Sequence, residues 1–335
     1  MGEVWLAERE GHGGLCKTVA LKQMHAGLLA DPRHARLFVE EVRIGMRLHH
    51  ANIVHVFDVG VGGDGRPFMA MEWVDGVDLA RLLTVLRHRR ERVAPEVAAY
   101  VTGELLRALE YAHTLTHAGE DSRIVHRDVS PHNVLVSVSG EVKLADFGVA
   151  RLARAATSGM FLKGKLQYMA PEYARGGAWG PSIDLFGAGT VLHELLTGQR
   201  YGERDGEGPG EGIRPGDPVA VWPGVPPLLL QLRHALLQRD PTRRIPTPTR
   251  ALAALRRWSG YRVEAAALAA VCREFVGVSA PRSGLPSAYA LEVPTGQVDG
   301  GWTQTRTALP VAREVDAPAV LRGRAARGPG GHGAV

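Results

Sequence analysis

His126-Arg127-Asp128-Val129-Ser130-Pro131-His132-Asn133 is the stretch whose reading decides how this chain folds. Asp146-Phe147-Gly148 follows it, and Ala170-Pro171-Glu172 comes further on. A lone aspartate in a loop, such as Asp128, is ordinarily a turn or capping residue. Three loop motifs of this composition, in this order and at this spacing, fit that reading poorly. Between the first two, Val134 to Ala145 carries two short strand patterns around Ser139-Gly140.

Working outward, Glu96 to Leu115 and Leu79 to Leu86 have helix periodicity, with Ala94-Pro95 as a helix start. Before Asp75-Gly76 the character is mostly β. Ile53 to Val61 and Pro67 to Val74 are β-rich, and Gly62-Gly63-Asp64-Gly65 between them predicts a hairpin. Leu37, Phe38, Val42, Ile44 and Leu48 recur as on one helix face from His34 to Leu48. Val19-Ala20-Leu21 is an apolar run that ends in Lys22. Downstream, helices are expected over Ile183 to Thr197, Leu228 to Leu237 and Thr249 to Trp258, with an amphipathic segment from Val263 to Val276. Glycine and proline make Gly198 to Pro227 mostly loop. Beyond Val278 the Pro-, Gly-, Ala- and Arg-rich composition predicts disorder.

The three motifs resemble the catalytic loop, the metal-binding segment and the Ala-Pro-Glu segment of eukaryotic-like (Hanks-type) bacterial serine/threonine protein kinases. The resemblance implies an α+β, bilobal protein-kinase-like fold. A small antiparallel β-sheet lobe, with the family's first strand missing, would join a mainly helical large lobe. ATP and Mg2+ would lie between them, and the γ-phosphoryl group would pass to serine or threonine hydroxyls. Such transfer needs in-line positioning and cations against the phosphate charge. Asp128 would orient the substrate hydroxyl and take its proton. Asn133 and Asp146 would hold Mg2+ through hard oxygen ligands.

The likeness extends outward through most of the chain. Val19-Ala20-Leu21-Lys22 is similar to the motif whose lysine contacts the α- and β-phosphates. Counting back from Asn52-Ile53-Val54, Glu41 aligns with the helix glutamate that pairs with that lysine; Glu40 is the neighbouring register, and a solvated helix charge is the plainer reading of either. Met71-Glu72-Trp73-Val74 looks like the gatekeeper and hinge, where backbone groups of Glu72 and Val74 would bond adenine. Ala20 and Leu135 would be ceiling and floor of the adenine slot, or plain core. Asp78 stands where a ribose contact or a helix cap is expected. Asp184 resembles the aspartate that braces the catalytic loop, and Arg244 the partner of Glu172. Arg127 precedes Asp128, so a phosphate on the following segment would pair with it and order that loop. Thr157 and Ser158 are the hydroxyl side chains between Asp146 and Tyr168, hence candidate phosphorylation sites, or ordinary loop hydroxyls.

Three departures stand out. The family's catalytic loop has lysine two residues after the aspartate, where this chain has Ser130. The family also has threonine after the glycine matching Gly164, where this chain has Lys165. The pair therefore reads as exchanged, with Lys165 bringing an ammonium to the transferring phosphate, or else facing solvent. Of the Gly-x-Gly-x-x-Gly-x-Val loop only Gly2 and Val4 are present, so either the true start lies upstream or this form binds ATP poorly. Finally, the segment after Thr197-Gly198 is short and glycine-rich for a substrate-docking helix.

The expected organisation is residues 1–74 as small lobe to hinge, 75–258 as large lobe, 259–278 as a helical extension and 279–335 as a disordered tail. Net charge is +5 with pI near 9.4, but the basic residues spread over the whole chain, so no nucleic-acid partner is expected. Cys16 and Cys272 lack metal-ligand spacing and fit a reduced, cytoplasmic setting. No run approaches the ~20 apolar residues of a membrane span, and no export signal opens the sequence. Protein substrates are the expected partners, with self-association for autophosphorylation. The rival readings are a pseudokinase scaffold, an aminoglycoside-phosphotransferase-like small-molecule kinase, against which Ala170-Pro171-Glu172 and Arg244 speak, and an adaptor acting through the tail.

Overall fold

The structure, a computed structural model, describes residues 2–10, 15–28, 31–117, 120–121, 123–147, 167–177, 180–201 and 224–279. Thr157, Ser158, Gly164, Lys165, most of the Gly198–Pro227 loop and residues 280–335 lie outside them.

The small lobe is a four-stranded antiparallel sheet in the order β1-β2-β4-β3. β1 (Gly2–Glu10) pairs along its whole length with β2 (Cys16–Met24), from Gly2 opposite Met24 to Glu10 opposite Cys16. β3 (Val56–Val61) and β4 (Pro67–Glu72) form the expected hairpin. Its turn closes through the Gly62 N–H on the Arg66 carbonyl at 2.8 Å, and Gly65 takes φ 75°, which favours glycine.

α1 (Pro32–Gly45) is capped by the Asp31 carboxylate, which accepts the Arg33 N–H at 2.9 Å, and Pro32 occupies the first turn. Its buried residues Phe38, Glu41, Val42 and Gly45 make one face toward the sheet. The apolar pattern predicted a helix running to Leu48, but α1 stops at Gly45. Leu48 reaches the core from the turn that follows, its N–H on the Gly45 carbonyl at 3.2 Å. A turn residue aimed inward keeps the spacing of a helix face without being in the helix.

The large lobe contains α2 (Leu79–His88), α3 (Pro95–His113), the short α4 (Pro171–Ala174), α5 (Ser182–Thr197), α6 (Pro227–Leu236), α7 (Pro248–Arg256) and α8 (Ala265–Ser279). α5 is buried on all sides, which explains why its sequence shows little amphipathic contrast. Gly198, in the left-handed region at φ 71°, ends it.

A small sheet lies under the cleft: β5 (Gly76–Asp78) pairs with β8 (Val134–Ser137), which pairs with β9 (Val142–Leu144). β5 was not foreseen, because three residues carry no readable alternation. β6 (Thr116–His117) and β7 (Glu120–Asp121) add a two-residue pairing after α3. The lobes are tied together where the Leu144 N–H meets the Asn52 carbonyl at 2.8 Å and the Val54 N–H meets the Leu144 carbonyl at 3.0 Å.

Candidate active site

Strand alternation on β2 turns Lys22 toward α1, and the helix face that buries Phe38 and Val42 also carries Glu41 inward. The Lys22 ammonium lies 2.6 Å from Glu41 Oε1 and 2.6 Å from Asp146 Oδ1. Lys22 and Glu41 are buried, whereas the Asp146 side chain is 41% exposed and opens onto the cleft. Glu40, the other register, is exposed and sits 3.5 Å from Arg43. Burial alone would depress the Lys22 ammonium, but the carboxylates of Asp146 and Glu41 outweigh it and hold the pKa above its ordinary value. Burial, partly offset by Lys22 and reinforced by Asp146, pushes the Glu41 carboxyl up to about 7.

Asp146 (φ 60°) and Arg127 (φ 69°) both sit in the left-handed region, a strain of ~1–3 kcal/mol each that surrounding contacts must impose. Those contacts converge from α5 and α3. The buried Asp184 carboxylate accepts the backbone N–H groups of His126 (2.8 Å) and Arg127 (2.7 Å), and meets His113 Nε2 at 2.8 Å. His126 accepts the Asp128 N–H at Nδ1 (3.2 Å), so its proton belongs on Nε2, which lies 2.8 Å from the Ala145 carbonyl. Its ring meets Phe147 edge-on at 4.5 Å. A single buried neutral imidazole therefore joins the backbone carrying Asp128 to the backbone carrying Asp146. This positioning role escaped sequence reasoning, although His126 stood in the deciding stretch.

Asn133 donates its amide to the Asp128 carbonyl (2.7 Å) and to Asp128 Oδ2 (3.0 Å), fixing that carboxylate and leaving the amide oxygen as an acceptor. Ser130 is buried between them, and its hydroxyl has no hydrogen-bond partner among the described residues. Above this loop, Val4, Ala20, Met71, Val74, Leu135 and Ala145 pack in one apolar cluster. Gly2 begins the strand that carries Val4. The Glu72 N–H is committed to the His55 carbonyl at 2.8 Å, and its carboxylate pairs with Lys143 at 2.8 Å. Asp78 caps α2, accepting the Arg81 N–H at 3.0 Å and lying 3.2 Å from Arg81 Nε. Its carboxylate is therefore already engaged on the helix.

On the far side, buried Arg244 holds Glu172 through two hydrogen bonds, of 2.6 and 3.0 Å, and also donates to the Ser182 carbonyl at 2.8 Å. Tyr168 donates to Glu194 at 2.9 Å, and the other oxygen of Glu194 meets Arg87 at 2.5 Å. Burial, together with the Glu194 carboxylate, raises the Tyr168 phenol well above its ordinary pKa. No motif announced this second link. The two aromatic-acid partners stand 26 residues apart and meet only through the packing of α5.

Comparison with known proteins comes to the same place. Residues 2–254 match the family model described as protein kinase domain. The chain is 35% identical over 212 residues to the tyrosine-protein kinase MasK of Myxococcus xanthus, covering 62% of this chain and 32% of that protein. It is 33% identical over 191 residues to the serine/threonine-protein kinase PknB of Mycobacterium leprae, covering 55% and 29%. The chain thus spans about a third of the length of these relatives. The crystal structure of the Mycobacterium tuberculosis PknI kinase domain superposes with a TM-score of 0.57 at 25% identity, over 77% of this chain and 91% of that one.

Proposed function

This chain belongs to the protein kinase family, in its eukaryotic-like bacterial branch, and we propose that it transfers the γ-phosphoryl group of ATP to serine or threonine hydroxyls of protein substrates. The observation that carries this reading is Lys22, held by Glu41 and Asp146 at the edge of a cleft whose other wall bears Asp128 and Asn133.

The donor set suits Mg2+. The Asp146 carboxylate opens onto the cleft, and both it and the Asn133 amide offer hard oxygens. When bound, Mg2+ would neutralise charge on the phosphates. The chain's own residues then have distinct tasks. Lys22 binds the α- and β-phosphates. The apolar group of Val4, Ala20, Met71, Val74 and Leu135 encloses adenine, with backbone groups of Val74 and the carbonyl of Glu72 at its edge. Asp128, held by Asn133, orients the incoming hydroxyl and accepts its proton. Ser130 cannot supply a cation, so Lys165 does so from the segment before Ala170. A phosphate on Thr157 or Ser158 pairs with Arg127 after two copies of the chain meet. The setting is cytoplasmic, and the lobes on either side of the hinge at Glu72 to Val74 work together with the helical extension over residues 259–278.

Incubating the full chain with Mg2+ and γ-labelled ATP, alongside Asp128→Asn and Lys165→Ala, tests the reading. Label is expected on phosphoserine or phosphothreonine and lost by at least a hundredfold in Asp128→Asn. Label on phosphotyrosine alone, or equal labelling in Asp128→Asn, overturns it. Unchanged turnover in Lys165→Ala removes the exchange with Ser130 only.

A further inference from the structure

The kinase family match ends at residue 254, yet α8 (Ala265–Ser279) is built into the large-lobe core. Leu268, Ala269, Cys272 and Phe275 form one buried face on it. The face lies against β5 and β8, directly behind the proposed nucleotide cleft. Alternation along β8 makes this possible. Val134 and Val136 point into the large-lobe core with α8, while Leu135 points the other way, into the cluster with Ala20, Met71 and Val74.

Several contacts grip this sheet from behind. The Cys272 thiol donates to the Val136 carbonyl at 3.5 Å, and Val136 stands opposite Val77 in the β5–β8 ladder. Burial raises the Cys272 thiol against the pull of the Val77 backbone beside it. Arg273 donates to the Val138 carbonyl at 2.8 Å, and the Val138 N–H in turn donates to the Asp75 carbonyl at 2.7 Å. A chain of two hydrogen bonds thus runs from α8 to the residue just after the hinge. At the start of α8, a side chain at Gly140 would place its Cβ 1.9 Å from the Ala265 carbonyl oxygen, so the β8–β9 turn seats on the helix without a gap. Before α8, the Tyr261 hydroxyl accepts from Arg107 at 3.0 Å and lies where a Cβ at Gly103 of α3 would stand, 2.2 Å from it.

We propose that α8 is a strut of the nucleotide site, with Arg273 and Cys272 as positioning residues that set the hinge-side strand β5 and the Leu135 floor. The proposal rests on the kinase reading for its consequence, ATP affinity, but not for the strut itself. α8 acts through Val136, Val138 and Asp75.

The test uses the full chain and three variants: Arg273→Ala, Cys272→Phe, and Glu274→Ala as control. Glu274 pairs at 2.5 Å with Arg89, the residue that ends α2, away from the Cys272 and Arg273 bonds to the sheet. Amide exchange at Val77, Asp78 and Val138 is followed without nucleotide, Mg–ATP affinity by calorimetry, and kcat at saturating ATP. Loss of one hydrogen bond of ordinary net strength corresponds to about fivefold in an equilibrium. Arg273→Ala is therefore expected to speed exchange at these amides and to weaken Mg–ATP by about fivefold, with kcat at saturation retained. Cys272→Phe should do the same or more, and Glu274→Ala neither. If Cys272→Phe fails to fold, Arg273→Ala decides. Unchanged exchange in Arg273→Ala overturns the strut, as does an equal change in Glu274→Ala. Faster exchange with unaltered Mg–ATP affinity overturns its role at the nucleotide site. Failure of the unmodified chain to bind Mg–ATP overturns the kinase reading instead, and exchange still decides the strut.

Discussion

Lys22 is shared by two carboxylates, and that imbalance has a pH signature. Glu41 titrates near 7 in the folded protein against an ordinary value of 4.5, chiefly because it is buried. The folded state therefore holds this proton more tightly than the unfolded state. Stability from this group is fully present below about 4.5 and is lost as pH rises to about 7. Lys22 is shifted upward too, so its contribution stays constant over that window and fades only in alkali. Urea melts of the nucleotide-free protein at pH 5, 6 and 7.5 should show this loss, and Glu41→Gln should flatten the slope. A slope unchanged in Glu41→Gln would assign it to other groups. At this scale the sequence was informative for side chains that come in motifs. It was uninformative for the pairing of Asp184 with His113, because a partner 71 residues away leaves no local pattern, and for the tautomer of His126, which the Asp128 N–H and the Ala145 carbonyl fix only once the loop has folded.

Among the elements, α5 bears on the catalytic loop most directly. A Cβ at Gly187 would lie 2.6 Å from the carbonyl oxygen of Val129, between Asp128 and Ser130. Gly187→Ala would ordinarily favour a helix by ~1 kcal/mol. Here the added methyl must displace the loop, so the variant should melt within a few degrees of the parent but lose tenfold or more in phosphoryl transfer. Full activity would show that the loop yields without consequence. Helix and strand patterns were readable wherever burial follows a period. They misled at Leu48, which is buried from a turn, and missed Gly76–Asp78, which is too short to alternate. Gly76 had a signal of a kind: its Cβ would fall 1.9 Å from the Val136 carbonyl oxygen, a close approach that only glycine allows.

For the whole molecule, the bond between Arg244 and Glu172 fastens the Ala170-Pro171-Glu172 segment to the base of the large lobe. Because Arg244 is fully buried, Arg244→Ala leaves Glu172 without its partner and should cost ~3–5 kcal/mol in denaturant melts. The loss should persist at 1 M salt, where exposed pairs are screened. A loss under ~1 kcal/mol would place the pair among surface bridges. Mg–ATP should stabilise the entire fold through linkage, by ~2.7 kcal/mol at a hundred times its dissociation constant. Thermal melts with and without a chelator check this, and Lys22→Ala should abolish most of the shift.

By itself the amino-acid order determined the kinase fold and singled out Lys22, Asp128, Asn133 and Asp146, of which Lys22 meets Asp146 and Asn133 meets Asp128. Those residues sit in short contiguous motifs, and each motif's chemistry is local. Tertiary structure sets against Lys22 the Glu41 register already counted from Asn52-Ile53-Val54, and it alone decided that Asp78 caps a helix and that α8 backs the cleft. These depend on which face of an element meets which neighbour, and burial energy settles that only once distant parts of the chain have packed together.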